Sequence, residues 1–368
     1  VKGKDEPVHT YRPLQPKSHP GRLRGIEGLD APMVGREAEL EKLQAALHRL
    51  EQGVGSIIFI VGEAGLGKSR LIRELKVESS RLPYATNLRP STFNLYQWHE
   101  TASHSYETAQ PYALFQRLLR RVCGVEEGDS PAEMWEKFMP ILNLIPADVP
   151  DQGGVFETLF AFHAQSSAPV PEGEAFKRQL FDLMERIWQS WTVDVPRVLI
   201  FDDLHWADPA SVELLTNLFK LTDSCPLVIM CATRPDRETP GWTAKEAAVR
   251  EYPHRFHEIQ LRPLSATDTN ELVDQLLTIS DLPARLRTRI LEKTDGNPFF
   301  IEEVVRTLID NGLVVRETNG NGDGSIGTHW RAVKNIEDIE IPGNLQSLLI
   351  ARIDRLEENA RRTLQLAS

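Results

Sequence analysis

The most constraining feature of this chain is Gly62-Glu63-Ala64-Gly65-Leu66-Gly67-Lys68-Ser69, set between an apolar run and an amphipathic one. It fits G-x-x-x-x-G-K-[ST] in full. Ser56 to Val61 reads as a short strand, and Leu71, Ile72 and Leu75 recur at helical spacing, so the glycines occupy a strand-to-helix turn. Such a turn points backbone N–H groups inward, adds the positive end of the following helix, and wraps an anion. Gly62, Glu63, Ala64, Gly65, Leu66, Gly67 and Arg70 are read as the cradle, with Lys68 reaching the β and γ phosphates of ATP or ADP and the Ser69 hydroxyl ligating Mg²⁺.

A second cluster follows Val198-Leu199-Ile200-Phe201, four apolar residues that end in Asp202-Asp203. Carboxylates in that place commonly do no more than terminate a strand. Beside a phosphate loop, Asp202 can hold the Mg²⁺ shell and Asp203 can orient or deprotonate an attacking water. Asp208 precedes Pro209 and a helical period, which assigns it to a helix N-cap. Arg234 ends the apolar run Leu227 to Thr233 and reads either as a γ-phosphate sensor or as a surface arginine before a proline turn. His205 and Trp206 read as core or as a contact surface and carry no assignment.

Strand-like runs at Ser56–Val61, Thr92–Glu100, Arg197–Phe201, Leu227–Thr233 and Phe256–Leu261 alternate with helical periods, among them Glu37–Leu50, Pro111–Arg121, Phe176–Trp191 and Ser211–Leu221. That alternation predicts an α/β doubly wound parallel sheet. After Arg262 the strands stop. Thr267–Leu277, Pro283–Lys293 and Ile301–Asn311 predict three helices, Leu313–Val333 a hairpin around the glycines at 319–324, and Leu345–Leu356 a further helix. The expected division is a short leading piece at 1–11, a Pro/Gly-rich linker at 12–31, a core at 32–261, a helical lid at 262–337 and a last segment at 338–368.

Composition narrows the classes. With 41% hydrophobic residues, 26% charged and a net charge of −11, a chain of 368 residues suits about two globular domains and not a basic surface for nucleic acid. No apolar run approaches the roughly 18 residues of a membrane span. The three cysteines, Cys123, Cys225 and Cys231, lack metal-ligand spacing, which suggests a reducing compartment and a cytoplasmic setting. A first residue of Val1 and a last residue inside a helical period suggest a fragment of a longer protein.

With these positions in hand, the chain resembles the STAND branch of AAA-type P-loop ATPases, of the kind found beside class III nucleotide cyclases and in LuxR-type regulators. The resemblance rests on Met33-Val34-Gly35-Arg36-Glu37, Phe201-Asp202-Asp203-Leu204-His205-Trp206-Ala207-Asp208, Ala232-Thr233-Arg234-Pro235, Leu261-Arg262-Pro263-Leu264 and Gly296-Asn297-Pro298-Phe299-Phe300. It implies a P-loop NTPase sheet with strand order 5-1-4-3-2, Val34, Gly35 and Arg36 against the adenine, Arg234 as sensor, and Pro298 packed on the base. Residues 1–11 look like the closing strand of a cyclase domain, and 338–368 like the start of a winged helix. The implied partners are an upstream cyclase-like domain, a downstream helical-repeat sensor and a second copy joined through nucleotide.

On this reading the chain is an ATP-binding, slowly hydrolysing switch with Lys68, Asp203 and Arg234 as catalytic residues. A non-hydrolysing ATP-bound scaffold, a small-molecule kinase and the ATPase module of a LuxR-type regulator are the rivals.

Overall fold

The computed structural model describes residues 32–81, 96–126, 128–145, 152–161, 173–276, 283–320, 326–332, 345–354, 356 and 358–367. The leading piece at 1–11, the linker at 12–31, the tip of the expected hairpin and the start of the expected winged helix lie outside the described residues. These residues form two units, Met33–Pro263 and a second that begins at Leu264.

In the first unit the elements run α1 (Glu37–Glu51), β1 (Ser56–Val61), α2 (Lys68–Arg81), β2 (Gln97–Ala102), α3 (Ala113–Val122), α4 (Pro131–Leu142), α5 (Gln152–Phe160), α6 (Gly173–Asp194), β3 (Arg197–Asp202), α7 (Pro209–Leu218), α8 (Leu221–Ser224), β4 (Leu227–Thr233), α9 (Pro240–Glu251) and β5 (Phe256–Gln260). The five strands make one sheet in the order β2-β3-β4-β1-β5. Every pairing is parallel. This is the expected 5-1-4-3-2 order read from the other edge, and the fold is a P-loop NTPase sheet.

β1 and β4 are buried along their whole length, which is why they read as continuous apolar runs without alternation. Alternate side chains enter two different cores. Ile58, Ile60, Val198, Ile200, Val228 and Met230 pack with Leu43, Leu47 and Leu71 of α1 and α2. Ile57, Phe59, Leu199, Phe201 and Ile229 pack on the opposite face with Phe115, Trp188, Leu215 and Ala248 of α3, α6, α7 and α9.

Several elements differ from expectation. α4 and α5 have no counterpart among the elements expected from sequence, and the expected helix Ser211–Leu221 is two, with α7 ending at Leu218. β2 is an edge strand covering Gln97–Ala102 and running two residues past the expected end at Glu100.

The second unit contains α10 (Ala266–Leu276), α11 (Ala284–Thr294), α12 (Pro298–Asp310), the antiparallel pair β6 (Val314–Gly320) and β7 (Ile326–Ala332), α13 (Leu345–Asp354) and α14 (Glu358–Ala367). Leu272, Leu276, Leu286, Ile290, Ile301 and Val305 form buried positions of α10, α11 and α12. α12 begins three residues before the expected Ile301, because Asn297 caps it by accepting from the Phe300 N–H at 3.3 Å and Pro298 fills its first turn. Among the described residues no helix is long and apolar enough to cross a membrane.

Candidate nucleotide site

β1 lies between β4 and β5, and β3 lies beyond β4, so the parallel arrangement carries Gly62, Asp202 and Arg234 to one edge of the sheet. Ligands bind at that carboxyl edge in open α/β sheets. The loop leaves β1 with the Gly62 N–H donating to the Thr233 carbonyl at 3.2 Å, which stitches it to the end of β4. Gly65 and Gly67 have φ of 83° and 93°, a region that side-chain-bearing residues rarely adopt. The turn in the loop therefore depends on these two glycines.

Lys68, only 7% exposed, opens α2, and its Nζ donates to the Gly62 carbonyl at 2.7 Å and the Glu63 carbonyl at 3.1 Å. Burial lowers its pKa below the usual lysine value, Asp203 and Asp202 oppose that shift, and Arg234 adds to it. The ammonium thus sits among both acids and the arginine.

Ser69 hydrogen-bonds the Asp202 side chain, so the two expected metal ligands are in contact. Burial raises the Asp202 pKa, the Ser69 bond opposes it, and the neighbouring Asp203 charge adds to it. Asp202 Oδ1 also accepts the Asp203 N–H at 2.9 Å. Asp203 itself has φ 51°, a left-handed conformation that swings the chain out of β3 into a short 3₁₀ turn over Leu204–Trp206. Arg234 is half-buried, with its guanidinium carbon 5.9 Å from the centre of the Trp206 ring.

The adenine set is less unified. Val34 is buried and Gly35 has φ 65° just ahead of α1. Arg36 sends Nη2 to the carbonyls of Leu66 and Arg262. Arg70 lies in the first turn of α2. Pro298 belongs to the second unit, where it fills the first turn of α12.

Two features escaped the sequence. His205 is 6% exposed, and neither ring nitrogen has a hydrogen-bond partner among the described residues. Burial depresses its pKa to about 4, with the Arg234 and Lys68 charges pushing the same way and Asp203 opposing. A neutral imidazole therefore faces the same charged group of residues, and only its place two residues after Asp203 hinted at this.

The unfolded chain protonates His205 near its ordinary value of 6.5, whereas the folded chain resists until about pH 4. Its contribution to stability is full above pH 6.5 and is lost as pH falls toward 4. His205→Gln should therefore lose about 2–3 kcal/mol less stability than the parent across that window in urea melts run at each pH.

The second feature is Gly241 on α9, where a Cβ would stand 2.9 Å from the Leu204 carbonyl and 2.7 Å from Thr233 Oγ1. The Leu204 backbone can yield only by moving the turn that follows Asp203, and the Thr233 hydroxyl must give way as well. Gly241→Ala is expected to cut ATP turnover by about tenfold or more while leaving ATP affinity within about twofold, as small misplacements of reacting groups do. Steady-state phosphate release and nucleotide titration separate the two effects.

With this geometry in place, comparison with known proteins decides the family. The AAA ATPase domain profile matches residues 32–230, and a domain of unknown function (DUF8739) matches residues 265–321. The chain belongs to the AAA ATPase domain family. An uncharacterized protein of Rhizobium meliloti (strain 1021) is 25% identical over 370 residues, covering 96% of this chain and 32% of that protein. Adenylate cyclase type 10 of Oryctolagus cuniculus is 22% identical over 291 residues, covering 77% of this chain and 17% of the cyclase. The chain thus spans less than a third of the length of either relative. Among solved structures, a Signal Transduction ATPase with Numerous Domains (STAND) protein with a tetratricopeptide repeat sensor from Pyrococcus horikoshii aligns with a TM-score of 0.39 and 12% identity, over 90% of this chain and 34% of its own. Nucleotide binding goes with membership of that family.

Proposed function

We propose that this chain is a nucleotide-driven signalling switch of the STAND kind, which binds ATP at the carboxyl edge of the sheet and hydrolyses it slowly to ADP and phosphate. The observation that carries the reading is that the ends of three neighbouring parallel strands bring Lys68, Asp202, Asp203 and Arg234 to one edge of the sheet, with both acids and the arginine acting on the Lys68 ammonium. Three roles follow from their chemistry. Lys68 exchanges its hold on the Gly62 and Glu63 carbonyls for phosphate oxygens. Asp203 accepts a proton from the attacking water at its carboxylate, and Arg234 leaves the Trp206 face to neutralise charge on the γ phosphate.

Ser69 and Asp202 are oxygen donors suited to Mg²⁺, a hard cation that takes few protein ligands beside phosphates and water. Bound there, Mg²⁺ would neutralise charge on the β and γ phosphates. Val34 and Gly35 are proposed to lie against the adenine.

A switch needs different affinities for its two states, and contacts made only with the γ phosphate supply that difference. The cyclase-like piece at 1–11, the linker at 12–31 and the winged-helix start at 338–368 belong to this proposal, as do an upstream cyclase-like output domain, a downstream helical-repeat sensor, nucleotide-dependent self-association and a cytoplasmic setting. The similarity to an adenylate cyclase and the short N-terminal match support the first of these partners.

The deciding experiment is to denature purified protein, identify the released nucleotide by chromatography, and follow phosphate release from added ATP. Bound ADP with slow turnover supports the switch. Stoichiometric ATP that never turns over supports the permanent scaffold instead.

A further inference from the structure

Arg36 is 7% exposed and stands at the N-cap of α1, with Nη1 3.5 Å from the Glu39 carboxylate on the same helix. Its Nη2 donates to the Leu66 carbonyl at 3.4 Å and to the Arg262 carbonyl at 2.6 Å. Both carbonyls occupy telling positions. The Leu66 C=O belongs to the same planar peptide unit as the Gly67 N–H, one of the donors of the phosphate cradle, so holding one end of the plane orients the other. Arg262 directly precedes Pro263, the last residue of the sheet unit.

On the other side of that proline, the Leu264 N–H donates to the Gly296 carbonyl at 2.8 Å within the helical unit. The connection Arg262-Pro263-Leu264 is therefore fastened by a separate hydrogen bond at each end. Pro263 has a fixed φ, which removes one backbone rotation from the stretch between those two bonds.

We propose that Arg36 is a positioning residue that ties the Leu66–Gly67 peptide of the phosphate loop to the link between the units, and that it does not read the base. Phosphate on the Gly67 N–H draws that peptide into line, and the guanidinium passes the change to the Arg262 carbonyl through a charge-assisted bond. This rests on the reading of Gly62–Ser69 as the nucleotide loop.

The test uses the 368-residue chain with Arg36→Ala, Arg36→Lys and the control Lys68→Ala. Affinities for ATP, ADP and GTP are measured by competition against a fluorescent nucleotide, and hydrogen exchange at the Leu264 amide is compared between the ATP and ADP forms. Arg36→Ala should weaken ATP and GTP by the same factor, about tenfold or about 1.4 kcal/mol, and abolish the ATP–ADP difference in exchange at Leu264. Arg36→Lys, which keeps the charge and one donor head, should restore part of that difference; it also serves if the alanine variant fails to fold. A purely structural role would lower the melting temperature without altering the ATP–ADP contrast at Leu264.

A changed ATP-to-GTP ratio in either variant makes Arg36 a base reader and overturns the proposal. So does an exchange difference that persists in Arg36→Ala, or one absent from the parent chain. Unchanged ATP binding in Lys68→Ala overturns the loop reading itself, which separates that failure from failure of the Arg36 link.

Discussion

Asp203→Asn is expected to bind ATP within about threefold of the parent and to hydrolyse it at least about 100-fold more slowly, the range general-base groups contribute. The substitution is nearly isosteric and removes only the capacity to take a proton. Backbone strain does not confound it, because asparagine tolerates the left-handed region that Asp203 occupies at φ 51°. The bond from the residue's own N–H to Asp202 Oδ1 is a main-chain donation and survives. Single-turnover assays with quenched product analysis should find intact ATP on the protein where the parent yields ADP. Turnover at the parent rate would remove Asp203 from the mechanism and move the base role to a water or a phosphate oxygen.

The legible parts of the fold were those where local chemistry and tertiary role coincide. β1 and β4 are buried on both faces, and an uninterrupted apolar run can mean little else between turn residues. Asp208 reads as a cap from Asp-Pro alone, and the structure shows its Oδ1 accepting from the Ser211 N–H at 2.8 Å. The same oxygen also accepts the Tyr112 N–H at 2.9 Å, a partner 96 positions away that no local pattern announces.

α5 shows the opposite case. It holds Gly153 and Gly154, poor helix formers, yet a Cβ on Gly153 would meet the Trp135 ring at 2.9 Å. Close packing against α4, not propensity, places a glycine in that helix. α4 could have been found from Ser130-Pro131 followed by Glu133, whose side chain and that of Ser130 close a reciprocal capping box.

The site divides along the same line. The glycine-rich loop is contiguous in sequence, so the turn that Gly65 and Gly67 make was readable residue by residue. The environment of His205 arises only when β4 delivers Arg234 and β1 delivers Lys68 to the end of β3, a product of strand order. Arg36 is similar: its position before α1 was legible, but its grip on Leu66 and Arg262 joins residues 30 and 226 positions away.

Lys68→Ala should weaken ATP binding by about 100-fold or more, since a buried ammonium facing two phosphates makes charge-assisted bonds worth about 1.5–3 kcal/mol each. The fold should tolerate the change. Burial already works against the charged form of Lys68, so deleting it relieves a desolvation cost, while the loss of its bonds to the Gly62 and Glu63 carbonyls acts in the other direction. The melting temperature without nucleotide should therefore move little, and the stabilisation that ATP gives the parent should vanish, because a ligand stabilises only through its binding to the folded state. Calorimetric titration gives the affinity and thermal unfolding with and without Mg-ATP gives the linkage. A variant that still binds ATP tightly and is still stabilised by it would place the nucleotide elsewhere than at Gly62–Ser69.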